Sequence, residues 1–224
     1  MRARLVGAIA MVGVALAGCG RLGTDAASSE DVLFLRAGGG VTLVRDLPEG
    51  VAVDLRGAVP STDWSAVVRA LPGAGETRIV AIDPLSGAEL WSRDVPGNNL
   101  EVKVASEQAR LVALGRSRGD SGYPQGRSST TLTIVRGDSP EIETIHLEGN
   151  YEPEAFSTDG RSLFVVEYLP PERPTRYQVR RLDLPTEEVV GVYTPDADLQ
   201  EAMQGTARIQ AASRDGRRLY TLYT

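Results

Sequence analysis

Cys19 is the residue whose chemistry the surrounding sequence defines best. It is the single cysteine among 224 residues, so its thiol has no internal partner for a disulfide. It follows an apolar run over residues 5–16, which comes after Arg2 and Arg4 and gives way to small residues. This layout is typical of an export signal, and the run is too short to span a bilayer as a helix.

Residues 16–19, Leu-Ala-Gly-Cys, resemble the lipobox of bacterial lipoproteins. The resemblance implies that Cys19 takes a diacylglycerol, that the chain is cut before it and that acyl chains anchor the protein to a membrane. The alternatives are a plain secretory signal with an accidental cysteine, or a core cysteine behind a short helix. We predict a signal peptide over residues 1–18, a lipidated flexible tether over 19–30 and a folded part over 31–224.

Other residues offer little catalytic chemistry. The single histidine, His146, lies among alternating polar and apolar residues, as on a solvent-facing outer strand, so we do not expect it to act in a triad. A site built from several histidines is excluded by the count. Carboxylates and amides remain as ligands for a hard cation. The candidates are Glu101, Glu152, Glu154, Asn98, Asn99 and Asn150. We favour ordinary loop and strand roles for them and predict no catalytic, metal or cofactor site.

Two copies of Arg-Gly-Asp-Ser, at 118–121 and 136–139, spell the tripeptide that integrins bind. The second copy is predicted to form a tight turn, where Gly-Asp is favoured by geometry. The first lies in a long polar loop over 116–129. Such short matches also arise by chance, so adhesion is not the favoured function.

The composition narrows the class of protein. The chain has 24 basic and 30 acidic residues, a formal net charge of −6, and residues 1–18 hold two of the arginines and no acid. An acidic chain is unsuited to nucleic acid, because neutralising phosphates requires a basic surface. Glycine and proline are frequent and evenly spread, and no long helix-period pattern follows residue 18, which predicts an all-β fold.

One short signature, a serine followed by polar turn residues, recurs four times. Its serines, Ser61, Ser106, Ser157 and Ser213, are separated by 45, 51 and 56 residues, and an apolar run such as 163–168 follows each. Two further strands follow in each full unit, with Asp-Gly supplying positive φ in tight turns. Four short antiparallel strands per repeat predict a β-propeller blade. A β-sandwich, the less favoured alternative, would not repeat a signature in phase with its strands.

Two segments resemble known propeller repeats. Residues 82–91 are similar to the outer hairpin of pyrroloquinoline-quinone-type repeats, and residues 157–163 to the inner hairpin of YVTN and tryptophan-aspartate-repeat-like propellers. The resemblance implies a propeller over 32–224. Quinone-dependent dehydrogenases of this type use a vicinal disulfide, and the chain has no second cysteine. We therefore predict that Trp91 packs between blades and that no cofactor is bound.

Partial blades are expected at both ends. Residues 32–36 and 41–46 are predicted to form a hairpin, and the fourth unit stops after its second strand, 217–223. The expected architecture is about three full blades plus partial ones, roughly half of a six- to eight-bladed propeller. A capping box of Asp198 and Glu201 predicts one short helix between the third and fourth units.

Two functions are compatible with this sequence. The favoured one is a lipid-anchored, extracytoplasmic binding or scaffold module, attached to the membrane through Cys19, that presents loops to a protein or carbohydrate partner. Those loops are 97–100, 116–129, 149–153 and 194–206. The alternative is a funnel-site enzyme, a hydrolase resembling calcium-dependent lactonases or a quinone-type dehydrogenase, whose missing half supplies ligands.

Overall fold

The computed structural model describes residues 32–37, 40–45, 51–116, 125–192, 207–212 and 218–223. These ranges are built from consecutive antiparallel strands in five sheets. The N-terminal sheet comprises β1 (Val32–Ala37), β2 (Gly40–Arg45) and β3 (Val51–Arg56). Blade 1 comprises β4 (Val59–Pro60), β5 (Val67–Pro72), β6 (Glu76–Ile82) and β7 (Glu89–Pro96).

The remaining sheets repeat the same pattern. Blade 2 comprises β8 (Leu100–Ala105), β9 (Leu111–Arg116), β10 (Ser129–Arg136) and β11 (Ile142–Glu148), with a short 3₁₀ helix, Glu107–Ala109, between β8 and β9. Blade 3 comprises β12 (Asn150–Phe156), β13 (Ser162–Leu169), β14 (Arg176–Asp183) and β15 (Glu188–Gly191). A final pair comprises β16 (Ala207–Ala212) and β17 (Leu219–Tyr223).

Three four-stranded sheets with a smaller sheet on either side confirm the predicted all-β, partial propeller. The first strands of the blades lie beside one another, with β8 in contact with both β4 and β12. One strand was not predicted from the sequence. Residues 51–56, with Val51, Val53 and Leu55 in alternation, form β3 and pair with β2. Within the described ranges no helix is long and apolar enough to cross a membrane.

The core lies between the faces of neighbouring blades. Strand β9 shows why: Val112 and Leu114 pack in one cluster with blade 1 residues, whereas Leu111 and Ala113 pack in another with blade 3 residues. Both faces of the strand are therefore buried, which explains why its sequence is continuously apolar rather than alternating. Full burial of a leucine or valine side chain contributes about 1.5–3 kcal/mol, so blade stacking supplies much of the stability.

The repeated serine closes the turn between the first two strands of each blade. In blade 3, the Ser157 N–H donates to the carbonyl oxygen of Ser162 (2.9 Å), and the Ser157 hydroxyl oxygen accepts from the Ser162 N–H (2.9 Å). Ser61 and Ser106 make the same two bonds with the residue five positions later. The signature thus marks a hydrogen-bonded turn that a side chain completes.

The fourth residue of each described turn is left-handed. It is Gly160 in blade 3 (φ +68°), as predicted, but Trp64 in blade 1 (φ +60°) and Ala109 in blade 2 (φ +51°). Left-handed backbone costs a residue with a Cβ roughly 1–2 kcal/mol. The turn is therefore imposed on blades 1 and 2 by the serine bonds and by packing, since Ala109 is fully buried.

Several sequence predictions lie outside the described residues. They include Cys19 and the tether, the Arg-Gly-Asp-Ser copy at 118–121, the capping box of Asp198 and Glu201, and the fourth signature from Ser213.

We predict that Gly160→Ala lowers the free energy of unfolding by about 2 kcal/mol, and the matched variant Gly57→Ala by about 1 kcal/mol. Both glycines have φ +68°, but a Cβ at Gly160 would lie 2.9 Å from Leu111 Cδ1 of blade 2, whereas one at Gly57 meets nothing within 4 Å. Urea unfolding of the two variants measures the difference. Equal losses would show that blade packing at the Gly160 turn is not tight.

Candidate functional site

The two ends of the blades carry different connections. The turn end carries the serine turns and the hairpins between the third and fourth strands. The loop end carries the connections between the second and third strands and those between successive blades. Most of the polar residues singled out in the sequence lie at or near the loop end, where parts of blades 2 and 3 meet.

An ion pair between a half-buried arginine and a buried glutamate joins the two blades at the loop end. Arg127, which precedes β10, places Nη2 2.8 Å from Glu152 Oε1, and the Glu152 side chain on β12 is only 5% exposed. The same Nη2 donates to the carbonyl oxygen of Tyr151. Burying two charges costs desolvation energy that their attraction does no more than offset. The pair therefore fixes the position of Arg127 relative to β12 more than it adds to the free energy of unfolding.

The side chain of Asn150 holds the same segment by hydrogen bonds. Its Nδ2 donates to the carbonyl oxygens of Gln125 (2.9 Å) and Pro171 (3.0 Å), and the Arg127 N–H donates to Pro171 as well (2.9 Å). A Cβ on Gly126 would lie 1.9 Å from the carbonyl oxygen of Glu172. Residues 125–127, hereafter the strap, are thus pressed against the connection between β13 and β14, residues 170–175.

A second polar cluster on blade 3 is linked to the strap through Tyr151, whose carbonyl oxygen accepts from Arg127 and whose hydroxyl donates to Glu167. The Glu167 carboxylate on β13 accepts hydrogen bonds from Arg180 Nε (2.8 Å), Gln178 Nε2 (2.5 Å) and the Tyr151 hydroxyl (3.1 Å). Burial alone would raise the pKa of Glu167, but these three donors outweigh it and lower the pKa. Burial and the neighbouring carboxylate raise the pKa of Tyr151 to about 12.

The predicted carboxylates do not form one group. Glu101 on β8 is exposed and bonds Lys103 Nζ at 3.0 Å, while Glu152 is buried against Arg127. Glu154 is buried on β12, where its charge contributes to raising the pKa of Tyr177, after burial and Tyr168. In the described part of the chain no three histidine, cysteine or acidic side chains are placed to hold a metal ion.

Of the predicted amides, Asn98 and Asn99 lie in the connection between blades 1 and 2, whereas Asn150 is the first residue of β12. Asn98 Oδ1 accepts from the Gly75 N–H at 3.0 Å. Asn99 is left-handed, with φ +60°, a conformation that asparagine tolerates. These are turn-forming roles, whereas Asn150 ties two connections together.

Trp91 packs between blades, as predicted. It contacts the core cluster shared by blades 1 and 2, and a Cβ on Gly137 would lie 2.7 Å from its Nε1. Blade 1 also holds the Arg-Gly-Asp-Ser turn at 136–139, because Arg93 on β7 donates to the carbonyl oxygens of Gly137 (3.0 Å) and Ser139 (3.1 Å). His146 is exposed on the outer strand β11 beside Thr131, as expected.

The fold and its loop end define a β-propeller segment. It is similar to TolB from Acinetobacter baumannii (15% identity, 87% of this chain and 54% of that one, TM-score 0.43) and to the Swd1 β-propeller domain of Myceliophteria thermophila (12%, 76% and 54%, 0.40). It is also similar to the Pyrococcus horikoshii acylaminoacyl peptidase (12%, 69% and 28%, 0.44). The chain spans about half or less of each of these structures. No protein-family model and no curated protein matches it.

We predict that Glu167→Gln lowers the free energy of unfolding by about 1–2 kcal/mol at neutral pH, because three donors lose their charged acceptor. The folded-state pKa is below the ordinary value of 4.5, so the contribution is complete above that value and disappears as the pH falls through the folded-state pKa. Urea unfolding from pH 7 to pH 3 measures it. A difference from the wild type that does not shrink in acid would contradict the assignment.

The control is Glu89→Gln. Glu89 is half exposed and lies 3.6 Å from Arg78, so this exposed pair contributes less than about 1 kcal/mol.

Proposed function

We propose that this chain is a binding module whose loop end presents a preformed surface to a protein partner. The supporting observation is the ion pair with Glu152 that fixes Arg127, whose N–H donates to Pro171 and so holds the strap against residues 170–175. Exposed side chains flank this contact: Gln125 and Ser128 on one connection, Glu172 and Arg173 on the other. Loops fixed in advance lose less entropy when a partner binds.

The use of charge at the loop end favours binding over catalysis. A funnel-site hydrolase or quinone-type dehydrogenase would gather carboxylates around a cation or cofactor. Glu101 and Glu152 instead each face a cationic side chain. The Glu152 pair orders two backbone segments, β12 and the residues before β10, which is what a recognition surface requires.

The proposal includes attachment to the extracytoplasmic face of a membrane. Its support is the Leu-Ala-Gly-Cys sequence at residues 16–19 after a short apolar run. A lipid on Cys19 would leave residues 20–30 as the link between the membrane and the first strand.

We predict that a photoreactive amino acid at Arg173 cross-links a defined partner on intact cells, and that the same group at Thr144 on the outer strand does not. Gly126→Ala, which forces the strap away from the Glu172 carbonyl, should reduce the Arg173 adduct at least about tenfold. Gly191→Ala is the matched control, because its Cβ meets only Arg180 Nη1 at 3.4 Å. Adducts that form equally at Thr144, or that are unchanged by Gly126→Ala, would refute the loop-end surface.

We predict that cells given a clickable palmitate analogue label the wild type and Ser29→Ala equally, and that Cys19→Ala carries no label. In bacterial lipoproteins, which residues 16–19 resemble, the cysteine thiol accepts the first lipid. Fluorescence of the immunoprecipitated protein measures labelling. Label retained on Cys19→Ala would exclude lipidation at this residue.

A further inference from the structure

The turn end joins blade 1 to blade 2 by a specific pair of hydrogen bonds, hereafter the interblade clasp. The Thr62 hydroxyl donates to the carbonyl oxygen of Ala105 (3.2 Å), and Asp63 Oδ1 accepts from the Gln108 N–H (3.0 Å). Thr62 and Asp63 are the second and third residues of the blade 1 serine turn. Ala105 directly precedes the blade 2 serine, and Gln108 is the third residue of that turn.

A cavity lies between blades 2 and 3 at the position that corresponds to the interblade clasp. By the repeat, Glu107 and Gln108 stand in blade 2 where blade 1 has Thr62 and Asp63, and neither reaches blade 3 in a hydrogen bond within the described residues. The cavity has a volume of about 200 Å³ and is lined by residues of all three serine turns. At the turn end, hydrogen bonds therefore cross the interface between blades 1 and 2, whereas a cavity lies at the interface between blades 2 and 3.

The cavity is lined by the two blade 3 residues that correspond to the clasp residues Ala105 and Gln108 of blade 2. Phe156 directly precedes the blade 3 serine and corresponds to Ala105, and Asp159 is the third residue of that turn and corresponds to Gln108. Both line the cavity. A hydroxyl donor and a carboxylate acceptor from elsewhere can therefore occupy the positions that Thr62 and Asp63 occupy one blade earlier.

Charged residues of both signs line the cavity: the acids Glu107, Asp138 and Asp159, and two arginines that can bind an incoming carboxylate. Arg110 and Arg136 line it, and their partners Glu107 and Glu143 lie at 3.6 and 3.7 Å, longer than hydrogen bonds. Their N–H groups are thus able to bind a carboxylate. The Asp159 carboxylate is turned to its own loop, where it accepts from the Ser157 hydroxyl (2.6 Å) and the Arg161 N–H (3.0 Å).

We propose that this cavity binds a peptide segment in which a hydroxyl side chain directly precedes a carboxylate side chain, as in Thr-Asp. The hydroxyl donates to the carbonyl oxygen of Phe156, and the carboxylate accepts from the Asp159 N–H within reach of Arg110 and Arg136. The ligand thereby completes between blades 2 and 3 the clasp that the chain itself supplies between blades 1 and 2. This site lies at the end of the blades opposite to the strap.

The probe is the dipeptide N-acetyl-Thr-Asp-amide, titrated into the ¹⁵N-labelled full chain while the amide signal of Asp159 is followed by NMR. The expected result is a saturable shift that N-acetyl-Val-Asn-amide, of nearly the same shape, does not cause. Arg110→Gln should weaken binding at least about tenfold. The control Arg78→Gln alters another exposed arginine, which belongs to blade 1 and lies outside the cavity, and should leave binding unchanged.

A second variant supplies the ligand from within the chain. Glu107→Thr with Gln108→Asp installs the blade 1 pair in blade 2, so the Asp159 signal should already be shifted and added dipeptide should no longer bind. Equal binding of the Val-Asn dipeptide, undiminished binding to this double variant or to Arg110→Gln, or no saturable shift in the wild type would each overturn the proposal. None of these outcomes depends on the cross-linking at Arg173.

Discussion

The bonds made by one serine in each blade set the geometry on which the other features depend. Ser61, Ser106 and Ser157 each close the turn between the first two strands through backbone and hydroxyl hydrogen bonds to the residue five positions later. Because the turn is closed by a side chain, its remaining positions are free to vary in sequence. That freedom lets Trp64 and Ala109 occupy a left-handed position that is glycine in blade 3, and it lets neighbouring turns carry different polar residues.

The variation of those polar residues distinguishes one blade interface from the next. The apolar packing is alike at both interfaces, since β9 buries alternate side chains against blade 1 and blade 3. At the turn end, however, Asp63 binds the Gln108 N–H across one interface, whereas a cavity of about 200 Å³ lies at the other. Similar cores thus support different surfaces at the turn end.

Charge in this protein positions backbone. Arg127 and Glu152 hold the strap. Glu167 accepts hydrogen bonds from Arg180, Gln178 and Tyr151. Arg93 donates to the turn that follows β10. Arg127 and Arg93 bind backbone carbonyl oxygens of a neighbouring blade, whereas Glu167 binds side chains of the adjacent strands β12 and β14. At the loop end, this pattern holds residues 125–127 against blade 3.

The amino-acid sequence determined the repeat and therefore the blades. The serine signature and the apolar periods predicted the strands of blades 1 to 3, and the hairpin resemblance predicted the packing of Trp91, because turn chemistry and alternation are local. β3 was missed although Val51, Val53 and Leu55 alternate. Glu167 was missed because its partners lie 11, 13 and 16 residues away on other strands. Only the tertiary structure decided that Arg127 contacts Glu152 and that a cavity lies between the turns of blades 2 and 3. Both depend on how neighbouring blades stack, and no local pattern in the sequence encodes that stacking.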